Sequence, residues 1–396
     1  MLRNSRAIQP GAWIVGRCDV PLWGLSPGAR WRRCFARAGI VDCRGEESPF
    51  PDAGAVVLVR ADHAFDESLV RGLVAAPGTV LAVTRPGGAG ERVAVGAHVA
   101  ARRAAEIAAL LRQRTMPAGA GRPDGLAVVG PEDLAPSYRH GLRKRAAPQV
   151  YSLLDESPAA VERRMFGAAY KGATDFVTKW LWPAPALWVT RRAARHGVSP
   201  NAVTALSLVF VFLALGLFAA GHFLSGLAAA WVMTFLDTVD GKLARVTFAS
   251  TPWGNAFDHG IDLVHPPFWY AAWWYGLHGA GDAPPASVLD AGLWIVVVGY
   301  VVGRLLEGLF IWRFGFEMHV WRPLDTRFRL FTARRNPNLA LLTGGAALGR
   351  PDLGFLAVAL WTVLSLLFHG VRLVQAQWRR GRGGAVRSWL ADDGSP

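Results

Sequence analysis

The sequence predicts a mostly α-helical protein in which a six-helix transmembrane bundle follows a soluble α/β domain, and three observations point there. Hydrophobic residues make up 52% of the 396-residue chain and mean hydropathy is +0.23, high for a chain that lives in water alone. Six apolar segments crowd into residues 202–375, each to be judged against the ~20 residues that a helix needs to cross a bilayer. Ahead of them, the first 150 residues alternate short β-like runs with helical stretches, as an α/β domain does.

In that N-terminal domain, residues 1–150, AVVLVRAD (55–62) and TVLAV (79–83) read as strands and AARRAAEIAALLRQR (100–114) as a helix. PAGAGRPDG (117–125) is a loop by its Pro and Gly content and the expected site of a proteolytic nick. The opening stretch MLRNSRAIQPGAWIVGR has no uninterrupted apolar core, so no cleavable signal peptide is expected. Residues 151–201 mix Lys171, Lys179, Arg191, Arg192 and Arg195 with Phe176, Trp180, Trp182 and Trp188, a pattern for amphipathic juxtamembrane helices lying along a membrane surface. Pro183 and Pro185 should break this segment in two. The apolar segments follow at about 202–220, 222–238, 260–278, 288–312, 336–349 and 353–375, the fifth being short and Gly-rich. They make up a transmembrane domain over 202–376, and residues 377–396 form a basic tail.

A net charge of +14 would suit nucleic acid, but no recognised nucleic-acid-binding motif accompanies the arginines, so no such partner is expected. The cations flank apolar segments instead. Lys242 and Arg245 follow the second, Arg313, Arg322, Arg327, Arg329, Arg334 and Arg335 the fourth, and Arg379, Arg380, Arg382 and Arg387 the sixth. The turns GHF (221–223) and GAGDAPPAS (279–287) contain no Lys or Arg, and the last turn has only Arg350. This bias places both termini in the cytoplasm, in a membrane of the inner or plasma type. Many of the 17 Trp residues sit near the ends of apolar runs, where their rings suit a bilayer interface. Cys18, Cys34 and Cys43 lack paired metal-ligand spacing, which argues against a zinc site and for a reduced compartment.

Between the second and third apolar segments runs DTVDGKLARVTFASTPWGNAFDHGID (237–262). Asp237 and Asp240 are three apart at the end of one helix, and Asp258 and Asp262 four apart at the start of the next, so each pair shares a helical face. A short connection would bring the faces together at the membrane margin, where four carboxylates are costly unless something cationic holds them. Hard oxygen ligands in that arrangement suit Mg²⁺ or Mn²⁺. The plain alternative is four surface acids at helix ends. Gly241, Ala244 and Gly254 have minimal side chains, which let another group approach the backbone, and Arg245 can pair with phosphate in a forked geometry.

The spacing D-x₂-D-G-x₂-A-R-x₈-G-x₃-D-x₃-D resembles that of the CDP-alcohol phosphotransferase, or phosphatidyltransferase, family, with Asp237, Asp240, Gly241, Ala244, Arg245, Gly254, Asp258 and Asp262 all in place. The resemblance implies transfer of a substituted phosphate from a CDP-alcohol to an acceptor hydroxyl, with release of CMP and formation of a phosphodiester, as in phospholipid or polyol-phosphate synthesis. It implies that Asp237, Asp240 and Asp258 ligate metal, two ions in all, and that Asp262 takes the proton of the attacking hydroxyl while touching the second metal. SPNAVT (199–204) is similar to the family's S-P-N-x-x-T entry into the bundle, and makes Asn201 and Thr204 candidate substrate contacts; a plain helix start explains Pro200 equally well.

Arg304 and Glu307 lie three apart inside the fourth apolar segment, where intramembrane charges face a site or each other. Arg327, Arg334 and Arg335 are candidates for an acceptor's phosphate or ordinary positive-inside residues, and His259 and His265 read as polar residues at a helix start. In the N-terminal domain, PLWGLSPGARWRRCFARAGI (21–40) and VVLVRADHAFDESLV (56–70) resemble sugar-phosphate nucleotidyltransferases, with Asp62 at the metal-binding position. The nucleotide loop of that family is missing: AWIVGRCDV (12–20) offers only Gly16, and Gly87, Gly88 and Gly90 read as a turn. Residues 1–150 therefore read as an inactive, degenerate relative, in a layout that hints at a polyol-phosphate acceptor. The lipid bilayer is the other expected partner, and a homodimer is allowed for. The competing functions are a catalytically silent scaffold, a transporter, and a bifunctional enzyme whose first domain also makes the CDP-alcohol from CTP.

Overall fold

The structure of the protein is a computed structural model that describes residues 10–85, 90–113, 115–116, 125–279 and 284–391. Most of the loop expected at 117–125, Gly87 and Gly88 of the expected turn, and the last five residues of the tail lie outside them.

The first domain comprises β1 (Gly11–Val15), α1 (Pro27–Arg37), β2 (Cys43–Arg44), β3 (Ala55–Arg60), β4 (His63–Phe65), α2 (Glu67–Ala75), β5 (Thr79–Thr84), β6 (Arg92–Ala100), α3 (Ala104–Arg112), β7 (Ala127–Val129), α4 (Pro131–Leu134), β8 (Tyr138–Arg139), β9 (Lys144–Arg145) and β10 (Val150–Ser152). Six strands form one mixed sheet in the order β2-β1-β3-β6-β5-β7. The apolar run of β3 has no polar face because both faces are covered. Val57 and Val59 pack with Trp31 and Phe35 of α1 and Leu69 of α2, whereas Val56 and Leu58 pack with Ile107 and Leu111 of α3. β10 pairs antiparallel with β4, Val150 opposite Phe65 and Ser152 opposite His63, which ties the chain leaving this domain back to it.

The remainder is helical: α5 (Pro158–Ala168), α6 (Pro183–Arg195), α7 (Pro200–Ala219), α8 (Phe223–Val246), α9 (Pro252–His278), α10 (Ala286–Phe314), α11 (Pro323–Phe328), α12 (Arg335–Ala347) and α13 (Pro351–Gly381). A π-helical turn, Val177–Leu181, leads into α6, and Trp182 between them stays right-handed. Pro183 and Pro185 thus fall in a first helical turn, where a missing N–H leaves no bond unmade, and the segment divides into two helical elements at Trp182.

Each of the six apolar segments is helical, as α7, α8, α9, α10, α12 and α13. Among the described residues, only α7, α8, α10 and α13 are long and apolar enough to cross a membrane. α12 has 13 residues and at ~1.5 Å per residue reaches only about 20 Å, short of the ~30 Å hydrocarbon core. α9 has 27 residues, but Asp258, His259, Asp262 and His265 dilute its first half. On α10 the exposed rings of Trp294 and Trp312 are separated by roughly 27 Å of helix. Between them lie exposed Val298, Val301, Leu305 and Leu309, an apolar stripe with an aromatic ring at each end, as a surface in contact with lipid would have.

The two halves share a core. Trp23 of the first domain, Phe166 of α5 and Val239, Leu243 and Val246 of α8 belong to a single buried cluster.

Candidate active site

α8 and α9 are joined by only five residues, 247–251. Phe248 takes a left-handed φ of +54° to make the turn, Ala249 N–H closes back on Ala244 O at 3.0 Å, and Thr251 caps α9 by accepting from Gly254 N–H at 3.0 Å. This tight reversal sets the end of one motif helix beside the start of the other. Carboxylate oxygens of Asp237, Asp240 and Asp258 consequently lie within 4.8 Å of one another.

Asp262 stands outside that trio. It pairs with Nη1 of Arg335, the first residue of α12, whose Nη2 holds Asp237. Asp262 nevertheless keeps 42% of its side chain open. Asp240 is buried; its Oδ2 accepts from Thr204 Oγ1 at 2.6 Å, while Oδ1 is sealed without a partner among the described residues. Three converging carboxylates and an orphaned buried oxygen are a poor arrangement for protein alone. As a set of hard oxygen donors they fit Mg²⁺ or Mn²⁺.

Asp237, Asp258 and Asp262 open on a cavity of about 470 Å³ where α8 and α10 end and α9 and α12 begin. Asp237, Gly241, Arg245, Asp258 and Asp262 line it; Asn201, Thr204, Asp240, Ala244 and Gly254 do not. Thr204 reaches the site only through Asp240. A Cβ on Gly254 would sit 2.5 Å from Asn201 Oδ1 and 3.0 Å from Thr251 Oγ1, so this glycine admits a neighbouring side chain of the protein itself. Arg245 donates to Ala169 O at 3.2 Å, so part of its fork is committed to the end of α5.

Several lining residues escaped the sequence reading as site residues: Arg143, Lys171, Asp175, Lys242, Glu317, His319 and Arg329. Lys242 lies inside the motif itself, directly after Gly241; no local spacing could have found the others, because they come from separate stretches of the chain. Arg329 is 8% exposed, and its Nε and Nη1 find no partner among the described residues. Burial and neighbouring Arg334 disfavour its charge, a penalty that an anionic ligand would relieve. Lys171 is pushed down to about 8, first by burial and then by Arg143 and Arg245.

Arg304 and Glu307 pair with each other and line the cavity. Glu307 is contacted by Arg304 at 3.3 Å, by His319 Nε2 at 3.2 Å and by Arg334, and all four line the cavity. Arg327 does not line it. Pro266 and Pro267 cannot donate to the carbonyls of Asp262 and Leu263. Tyr300 OH of α10 donates to Leu263 O at 2.9 Å and lies 3.5 Å from Asp262 O, so the carbonyl that Pro267 leaves without an intrahelical donor is satisfied at the cavity wall.

In the first domain, Arg60 binds Asp62 through Nε at 2.8 Å and Nη2 at 2.7 Å, and His63 Nδ1 lies 2.6 Å away. Burial acts to raise the proton affinity of Asp62, but these partners outweigh it and hold the carboxyl below its ordinary range. Among the described residues the only cluster of acids poised for a metal is the one on α8 and α9.

Residues 197–333 match the model of the CDP-alcohol phosphatidyltransferase family. The chain is 32% identical over 162 residues to a bifunctional IPC transferase and DIPP synthase from Rubrobacter xylanophilus, covering 40% of this chain and 34% of that protein. It is 35% identical over 115 residues to a phosphatidylinositol phosphate synthase from Streptomyces avermitilis, covering 28% of this chain and 44% of that one. Human ethanolaminephosphotransferase 1 is 37% identical over 70 residues, 17% of each chain. The matched stretches span about a third to a half of the length of the bacterial relatives.

Proposed function

We propose, from the CDP-alcohol phosphatidyltransferase domain carried by residues 197–333, that this membrane protein transfers a substituted phosphate from a CDP-alcohol to the hydroxyl of a phosphorylated acceptor. The observation that carries the proposal is the convergence of Asp237, Asp240 and Asp258 at a cavity that Asp237 and Asp258 line together with eight Lys and Arg side chains. Divalent cations held by Asp237, Asp240 and Asp258, with Asp262 beside them, would supply positive charge to the donor's pyrophosphate and to departing CMP.

The chain's own residues do the rest. Asp262, open to the cavity, accepts the acceptor's hydroxyl proton as that oxygen bonds to the phosphorus bearing the alcohol and the bond to CMP breaks. Arg335 offsets the charge of Asp237 and Asp262 until the substrates arrive. Lining cations outnumber lining carboxylates: Arg143, Lys171, Lys242, Arg245, Arg304, Arg329, Arg334 and Arg335 face Asp175, Asp237, Asp258, Asp262, Glu307 and Glu317. Arg329 and Lys171 bind the acceptor's phosphate in this reading, and Arg334, held by Glu307, borders it. The acceptor is then a polyol phosphate or a similar phosphorylated alcohol, as the phosphatidylinositol phosphate synthase relatives suggest.

In the bilayer, α9 and α12 complete a six-helix bundle around the four longer spans, with their polar ends in the cavity. The cations at this end of the bundle support a cytoplasmic placement of the site and both termini. The test is release of CMP from a CDP-alcohol by purified protein with inositol phosphate, glycerol phosphate or serine as acceptor. Release should require Mg²⁺ or Mn²⁺ and be fastest with a phosphorylated acceptor; full release in excess chelator overturns the mechanism.

A further inference from the structure

α8 carries the first two motif aspartates on one face and Val239, Leu243 and Val246 on another, and this second face is buried against the first domain and α5. The last carbonyls of a helix have no partner within it. Here they are met by α1, at the far end of the sequence. Arg30 Nη1 donates to Val246 O at 2.9 Å, and Arg33 Nη1 donates to Thr247 O at 3.0 Å. Arg30 is buried, and its guanidinium lies 4.8 Å from the centre of the Phe248 ring, the residue whose left-handed backbone turns the chain from α8 into α9. From another direction, Lys242 and Arg245 of α8 both donate to Ala169 O at the end of α5.

α1 is itself fixed. Trp31 and Phe35 are in the core under the sheet, and just ahead of the helix Trp23 N–H donates to Glu162 Oε1 of α5 at 2.9 Å. The clamp is therefore backed by a packed domain.

We propose that the N-terminal domain is a positioning element of the transferase site: Arg30 and Arg33 set the end of α8 and the turn into α9, and so the spacing of Asp237 and Asp240 against Asp258 and Asp262. This rests on the phosphotransferase reading above. Neither arginine lines the cavity, so both act through the backbone of the motif and not on substrate. A domain whose own acid, Asp62, is locked by Arg60 and His63 thereby has a use in the chain.

The experiment uses full-length protein in detergent with Arg30→Ala, Arg33→Ala, Arg30→Lys and, as control, Arg32→Ala on the exposed side of the same helix. Mn²⁺ binding without substrate is followed by electron paramagnetic resonance, and CMP release gives kcat, donor KM and the Mg²⁺ activation constant. Arg30→Ala and Arg33→Ala should weaken Mn²⁺ binding about 10-fold and lower kcat by about 10- to 100-fold, since a ~1 Å misplacement alone can cost on the order of 10²-fold. Arg30→Lys should recover part of the loss, because an ammonium can still reach Val246 O, and Arg32→Ala should match wild type. Arg33 is exposed, so its variant folds and decides the matter if Arg30→Ala does not. Wild-type Mn²⁺ affinity and kcat in Arg33→Ala and Arg30→Lys overturn the clamp while leaving the phosphotransferase intact. A wild-type protein that neither binds Mn²⁺ nor releases CMP overturns the phosphotransferase reading, and the clamp with it.

Discussion

Asp237 and Asp262 share one cation, Arg335, yet their surroundings assign them different work. Asp237 converges with Asp240 and Asp258, whereas Asp262 lies outside the trio and faces the open cavity. Asp237→Asn should weaken donor binding along with turnover. Losing even an outer-shell partner costs about 10- to 100-fold in metal affinity, and loss of a ligand should cost at least as much. Asp262→Asn should still bind the CDP-alcohol but transfer on the order of 10²- to 10⁴-fold more slowly, the usual loss for a general base. Titration of each variant with donor at fixed Mg²⁺, beside CMP release, separates the two; equal loss of donor affinity would make Asp262 a ligand and leave the base to be found elsewhere. Lys171 gives the site a pH dependence. Its ammonium is held at about 8 by burial and neighbouring cations, so it is charged below that pH and loses its pull on phosphate above it. Acceptor KM should therefore rise as pH increases through about 8, with kcat changing less because bound phosphate favours the charged form. Lys171→Arg should flatten the profile; an unchanged profile excludes Lys171 as the phosphate ligand.

At the scale of the element, α9 combines features that a membrane helix normally avoids: two adjacent prolines and a polar first half. Its prolines are met by Tyr300 of α10, whose hydroxyl donates to the stranded Leu263 carbonyl at 2.9 Å and lies 3.5 Å from that of Asp262. Tyr300→Phe should destabilise the protein by about 1 kcal/mol, the net worth of an ordinary hydrogen bond. Restoring the backbone donors with Pro266→Ala and Pro267→Ala should remove most of that penalty. Thermal unfolding of the single, double and triple variants in detergent measures the coupling, and additive effects would show that Tyr300 does not act through these carbonyls. α12 is short for a different reason. It starts inside the bundle at Arg335, in the site, and a Cβ on its Gly345 would lie 2.5 Å from Gly354 Cα of α13, so it packs on its neighbour backbone to backbone.

At the scale of the molecule, the first domain has the sheet of an α/β domain, and we propose that it makes no CDP-alcohol. Its best-placed acid is consumed by Arg60 and His63. The whole chain incubated with CTP, Mg²⁺ and a phosphorylated alcohol should make no CDP-alcohol, while releasing CMP when the CDP-alcohol is supplied. Formation of CDP-alcohol would make the protein bifunctional and place a nucleotide site in the first domain. The full chain is the right material for this test, since β10 and the core around Trp23 lie across the boundary expected at residue 150.

What could be read from the sequence alone was what local periodicity records. The strands at 55–62 and 79–83, the helix at 100–114 and the helical character of all six apolar segments follow from residues close together in the chain. The convergence of Asp237, Asp240 and Asp258 was legible for the same reason, since spacings of three and four residues fix a helical face and a five-residue turn leaves little choice of how two faces meet. The count of six spans went beyond that information, because apolarity marks burial in lipid and burial in protein alike, and α12 is too short to cross. Only the tertiary structure decided that Asp262 pairs with Arg335, that Gly254 makes room for Asn201, and that Glu307 gathers Arg304, His319 and Arg334. It also decided that Arg143, Lys171 and Arg329 meet at one wall, and that Arg30 and Arg33 reach the end of α8. Apart from Arg304 and Glu307, three residues apart on one helix, these contacts join residues about ten to hundreds of positions apart, and their meeting depends on how whole elements pack, a property that no short spacing encodes.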